Sequence, residues 1–237
     1  MKPAAVLIGL LGLVVPAVVP PVGTPAQVAQ RGEIFYIPPA KGAPGRRVPG
    51  ASRGSNFAAA SAVTIELLAP DGHAGETISP APILYYFVSG PINLPVQLTI
   101  SAPRRAAPLL EVDIPPPRAP GIYALALTDF RSRLEEGTVY TWSISVIADP
   151  RERSNDLVAS ASLLRVAPDP ALASAIRVAP AHRRAALLAR ASLWYDAVAA
   201  AAETKDQDGH ATLDALLDQV GLTEPLRYDR QNARVTR

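Results

Sequence analysis

From Val63 onward apolar and polar positions alternate with a period of two, the mark of strands with one buried face. Val63, Ile65 and Leu67 share one face of a first strand that stops at Pro70-Asp71-Gly72. Ile83 to Val88 is apolar on both faces and predicts a central strand. Val96, Leu98 and Ile100 alternate with Gln97 and Thr99, and Leu110, Val112 and Ile114 alternate with Glu111 and Asp113. Tyr123, Leu125 and Leu127 follow the Pro120-Gly121 turn. Tyr140, Trp142, Ile144 and Val146 point one way while Thr141, Ser143 and Ser145 point the other, and Leu157, Ala159, Ala161 and Leu163 form the last strand. About seven strands in about 105 residues match an immunoglobulin- or fibronectin-type sandwich.

The stretch Leu134-Glu-Glu-Gly137-Thr-Val-Tyr140-Thr-Trp142 fits the turn from the fifth to the sixth strand of such a sandwich. Gly137 bends the corner, and Tyr140 enters the strand with its hydroxyl bonded back to the corner's backbone. Antibody domains place a disulfide cysteine two residues later; here Trp142 stands there, and a large ring fills the space between sheets instead.

After Val166 the period becomes helical. Asp169-Pro170 supplies an N-cap and a first-turn proline for a short helix carrying Leu172 and Ile176. Pro180 opens a longer helix to about Thr204, with Leu187, Ala191, Trp194, Val198 and Ala201 as its buried stripe. A polar break from Lys205 to Gly209 leads to a last helix with Leu213, Leu216, Leu217 and Val220, capped by Gly221 with Leu222 beyond it. The predicted architecture is mainly β: an antiparallel sandwich over 61–166, then a C-terminal α-helical hairpin over 167–223 packed on it, and a polar tail over 224–237.

Ahead of the strands, residues 30–60 are rich in Gly, Pro, Arg and Ala without an apolar period and predict a flexible basic arm, in which Glu33 to Ile37 is a short stray strand. Residues 1–29 read as a cleavable secretory signal, with an uncleaved membrane anchor as the alternative: Lys2, an apolar run from Ala4 to Val15, then small residues near Thr24 and Ala26. The run is too short to cross a bilayer, which needs about 20 apolar residues, and Pro16, Pro20 and Pro21 end it. A periplasmic or secreted location follows. The chain has no cysteine, which excludes disulfides, thiolate metal sites and a lipid-anchored start. A net charge of +2 argues against a nucleic-acid binder.

Catalytic constellations are missing from the sequence. No Gly-x-Ser-x-Gly elbow occurs, and His73, His182 and His210 fall in a turn, near a helix start and in an interhelical loop. Aligning Gly209 of Asp206-Gln-Asp208-Gly209-His210 with the sixth position of a calcium loop puts Thr204 first and Ala215 twelfth, where carboxylates are required. Glu135 and Glu136 are adjacent on a corner and diverge, unlike a glycosidase pair. There is no phosphate loop. The sequence therefore assigns no catalytic residue, no metal and no cofactor.

Three features carry functional weight. Arg46, Arg47 and Arg53 of the arm either only keep it soluble or suit an acidic partner or anionic lipid headgroups. Tyr85, Tyr86 and Phe87 alternate faces, which buries them against covering helices or presents one ring to a ligand. Trp194-Tyr195-Asp196 diverge by about 100° around a helix, so Trp194 can face the core while Asp196 reaches another element, as an interdomain latch or a pocket wall.

In four stretches the chain resembles the bacterial family called domain of unknown function 928: Gly45-Arg46-Arg47 through Arg53-Gly54; Leu67-Leu68-Ala69-Pro70 with Gly75-Glu-Thr77 and Pro80; Leu134 to Trp142 with Asp149-Pro150 and Arg153-Ser154; and Leu193-Trp194-Tyr195-Asp196-Ala197 with Leu216-Leu217-Asp218-Gln-Val220-Gly221-Leu222. The family's pattern often places a cysteine before the Asp-Pro pair; Ala148 stands there, so this chain lacks any thiol role. The resemblance implies an exported protein and supplies no catalytic residues. The expected function is non-catalytic recognition of an envelope protein partner, as an accessory or extracytoplasmic sensor, with membrane-surface contact through the basic arm. The competing expectations are an enzyme or small-ligand binder with a site between sandwich and helices, and a structural envelope component.

Overall fold

The computed structural model describes residues 35–51, 63–204 and 207–233, with the backbone alone for Ala51, His182 and Ala233. The secretory stretch, Arg53 and Asp206 lie outside the described residues. In chain order the strands are β1 (Gly50–Ala51), β2 (Thr64–Leu67), β3 (Gly75–Thr77), β4 (Ile83–Val88), β5 (Val96–Ser101), β6 (Leu110–Ile114), β7 (Gly121–Ala126), β8 (Val139–Val146) and β9 (Leu157–Arg165). The α-helices are α1 (Pro170–Val178), α2 (Ala181–Arg190), α3 (Trp194–Glu203), α4 (Gln207–Gln219) and α5 (Thr223–Ala233).

The strands form two sheets, ordered β1-β2-β4-β7 and β3-β9-β8-β5-β6. All neighbours are antiparallel except β3, which runs parallel to β9. Register follows the alternation: Leu98 stands opposite Val112 and Ile144, and Thr99 opposite Glu111 and Ser143. The apolar rows enter one core with Ile65, Leu67, Leu84 and Tyr86 of the other sheet, while the Ser/Thr rows face away. That same core continues into the helices through Leu188, Trp194, Tyr195, Val198, Leu216 and Leu222. Every described element belongs to one compact unit, Glu33–Arg237.

Several expectations change. The chain is a mixed α/β structure rather than mainly β, because the hairpin expected over 167–223 is part of five described helices. The helix expected from Pro180 to Thr204 breaks at Ser192, which adopts a left-handed φ of 67°. There Leu193 N donates to Leu188 O (3.0 Å) and Ser192 N to Ala189 O (3.2 Å), the bond pair of a Schellman cap. A serine in this role carries no sequence signal, since glycine is its usual occupant. The expected cap at Gly221 is present, with φ 69° and Leu222 N bonded to Leu217 O at 3.0 Å.

The polar tail is instead largely α5. Its exposed face hides the periodic signal, but Leu226 is buried and Tyr228 packs 5.6 Å from Phe87 and donates to Pro120 O (2.7 Å). His210 lies inside α4, not in a loop. Residues 36–51 are not a flexible arm: backbone bonds fix Ile37 to Ala189, Ala74 to Ala43, and Val48 to Ser160 in both directions. β1 and β3 escaped the sequence reading because two or three residues cannot display a period.

Candidate functional site

The chain leaves one sheet after Leu67, turns through Pro70 to Ala74, and joins the other as β3. A strand that changes sheets opens a seam between them, and here α3 closes it with three consecutive side chains. Trp194 Nε1 donates to Leu68 O at 2.8 Å. Tyr195 enters the core, donating its hydroxyl to Ser162 O (3.1 Å) and accepting from Trp142 Nε1 (2.9 Å). Asp196 accepts from Thr77 Oγ1 (3.0 Å) and Ile78 N (2.9 Å), just past β3. The sequence motif thus grips β2, the core and β3 at once. Gly75 is required for this approach, because a Cβ there would stand 2.6 Å from Cε2 of Tyr195.

Burial pushes the Asp196 carboxyl up from its ordinary 3.8 to about 6, against the pull of the Ile78 and Thr77 hydrogen bonds. Burial likewise holds the Tyr195 phenol well above its usual range, so it remains a donor.

The Leu134 to Trp142 corner lies at the other end of this chain of bonds. Gly137 has φ 73° and its N–H donates to Arg165 O (2.8 Å). Tyr140 accepts from Glu135 N (2.9 Å), closing the corner on itself. Leu134 is buried, with its N–H on Pro80 O (2.7 Å) and its carbonyl accepting from Arg165 Nη1 (2.9 Å). Through the Trp142 indole, two motifs distant in sequence meet at Tyr195.

Segment 36–51 straps the outside of the seam. Tyr36 is buried against the edge of Trp194 at a ring distance of 5.0 Å, its N–H donates to Gln219 Oε1 (2.8 Å), and its hydroxyl lies 2.7 Å from His73 Nε2. Burial lowers the His73 imidazole below its ordinary value and raises the Glu76 carboxyl. Arg47, expected to be free for a partner, instead donates from Nη1 to Ala69 O (2.8 Å) and Val220 O (3.3 Å) and faces Glu66 and Asp71. Arg46 has an exposed side chain, and its N–H donates to Ser162 Oγ at 3.3 Å. Tyr36 and Thr77 were missed as partners; the only hint was the apolar run around Tyr36 in an otherwise polar segment.

The remaining candidates do not converge on this place. His210 Nδ1 lies 3.1 Å from Asp229 on α5. The His182 side chain lies outside the described residues. Glu135 is paired at 2.6 Å with Arg105, and Glu136 is exposed. Tyr86 and Phe87 are buried and Tyr85 is half-buried. Among the described residues no three His, Asp or Glu side chains come together as a metal-ligand set, and no helix is long and apolar enough to cross a membrane. An open depression along α5 is lined by Leu226, Arg227 and Arg230, whose guanidinium groups are taken by Glu224 and Asp214.

No curated protein and no solved structure matches the chain. A family model does, and its span of residues 48–227 takes in the corner, the seam and the Trp194-Tyr195-Asp196 grip. With well over half of its 237 residues matched, the chain belongs to the family Domain of Unknown Function 928.

Proposed function

We propose that this chain is an exported recognition protein of the bacterial envelope, acting by binding rather than catalysis, on an immunoglobulin-like sandwich braced by helices. The observation that carries the reading is where the polar chemistry points. Asp196, Tyr195, Trp194, Tyr36, His73 and Arg47 each bond to another part of the same fold. Groups used in this way hold elements together, and the exposed polar side chains on the strands include Thr141 on β8 and Glu111 and Asp113 on β6. The immunoglobulin-like reading is supported by the sheet orders, by β3 running parallel to the last strand, and by the Tyr140 bond at the corner. Export is supported by the apolar run from Ala4 to Val15, preceded by Lys2 and followed by small residues near Thr24 and Ala26.

The test is photo-crosslinking in intact envelopes, with the reactive residue placed in turn at Thr141 on the outward face of β8, at Arg46, and at the buried control Ala161. Recovery of one discrete protein from an exposed position and none from Ala161 supports recognition. No adduct from either exposed position, together with turnover of a small-molecule substrate by the purified chain, would replace it with the enzyme reading.

A further inference from the structure

The fold treats its strand edges unequally. The outer side of β3 is covered by α3, with Ile78 N given to Asp196. Beside it, the free side of β9 is taken by Val48, which exchanges both backbone bonds with Ser160, and β2 is paired by β1. At the opposite end of the same sheet β6 pairs with β5 alone, and among the described residues nothing pairs with its other side.

The side chains of β6 make that edge selective. Leu110 and Val112 point to the core side yet remain half-buried, so a further strand would complete their cover. Glu111 and Asp113 point to the other face and are exposed. Arg153, which faces both carboxylates, is already bonded to Asp156 and Gln97. Pairing β6 with β6 of a second copy would set carboxylates across from carboxylates, which is unfavourable. Pro108 and Pro115 bracket the strand and limit pairing to about five residues.

Building on the recognition reading above, we infer that β6 takes an extended segment of a partner protein as an added strand, one alternating apolar residues with lysine or arginine. Main-chain bonds supply affinity, the apolar positions cover Leu110 and Val112, and the basic positions meet Glu111 and Asp113.

The experiment uses the full chain and three synthetic nine-residue peptides: alternating valine and lysine, alternating valine and glutamate, and the lysine peptide with alternate amides N-methylated. Amide hydrogen exchange is followed residue by residue. The lysine peptide should slow exchange across Leu110–Ile114 by about tenfold or more at saturation, the other two should not, and Glu111→Lys with Asp113→Lys should transfer the preference to the glutamate peptide. Both replaced side chains are exposed, so the variant keeps the fold. Protection centred on another strand, equal binding of the two charged peptides, or full binding by the N-methylated peptide would overturn the inference. If envelope crosslinking still yields a partner in that case, the recognition reading stands and only the choice of β6 falls.

Discussion

The two ends of the β3-β9-β8-β5-β6 sheet are built on opposite terms. At the β3 end, two indoles, two phenols, a half-buried carboxylate and an arginine are used to seal a gap that the chain made when β2 passed into β3. At the β6 end the strand stands in the open with two exposed carboxylates. Side-chain types that often signal catalysis are concentrated where the fold needs closing, while the exposed carboxylates Glu111 and Asp113 stand at the open edge. A conspicuous motif such as Trp-Tyr-Asp can thus mark a mechanical difficulty in the fold rather than a reaction.

Breaking the closed end should be costly and altering the open end nearly free. Trp194→Ala removes a fully buried indole and strips Leu68 O of its donor, so chemical denaturation should show a loss of about 4 kcal/mol or more. Tyr195→Phe keeps the ring but orphans Trp142 Nε1 and removes a donor from Ser162 O, with an expected loss of about 2–3 kcal/mol. Against these, Glu111→Lys together with Asp113→Lys should shift stability by no more than about 0.5 kcal/mol.

Acid should strengthen the closed end through Asp196. Its folded carboxyl titrates near 6 and its unfolded one near 3.8, so the folded state binds the proton more tightly between these values, and stability rises as pH falls through 6 toward 4. The full contribution is about 3 kcal/mol. Glu66, Glu76 and Asp214, also raised, act in the same direction; His73 and Asp71, both lowered, act in the opposite one. Comparing wild type with Asp196→Asn across pH 7 to 4 isolates the one group: wild type should gain on the variant as pH falls. A modest gain belongs to the break between α2 and α3, where Ser192→Gly should raise stability by about 0.5–1 kcal/mol by relieving a left-handed serine.

These contrasts also explain how far the sequence could be read. Strands β2, β5, β8 and β9 were legible because each has a face buried in the core, which imposes alternation, and β4 because it is apolar on both faces. The Tyr140 corner was legible because Gly137 and Tyr140 are both fixed by local backbone demands. Trp194-Tyr195-Asp196 stood out as a latch, but its receiving groups did not. Leu68 and Ser162 contribute backbone carbonyls, and a carbonyl leaves no trace in residue type. Arg47 was misjudged for a related reason: two carbonyls hold it, Ala69 O from 22 residues and Val220 O from 173 residues along the chain. The break at Ser192 and the docking of α5 depend on tertiary contacts that override weak local signals.

The most direct measurement is a double-mutant cycle on the bond between Trp142 and Tyr195, using Trp142→Phe, Tyr195→Phe and the pair, followed by urea unfolding. If the corner and the α3 grip form one brace, the two changes should be non-additive by about 1–2 kcal/mol. Additivity within about 0.3 kcal/mol would mean that the two motifs are mechanically independent, and it would contradict the assignment of Trp194-Tyr195-Asp196 to holding the fold closed.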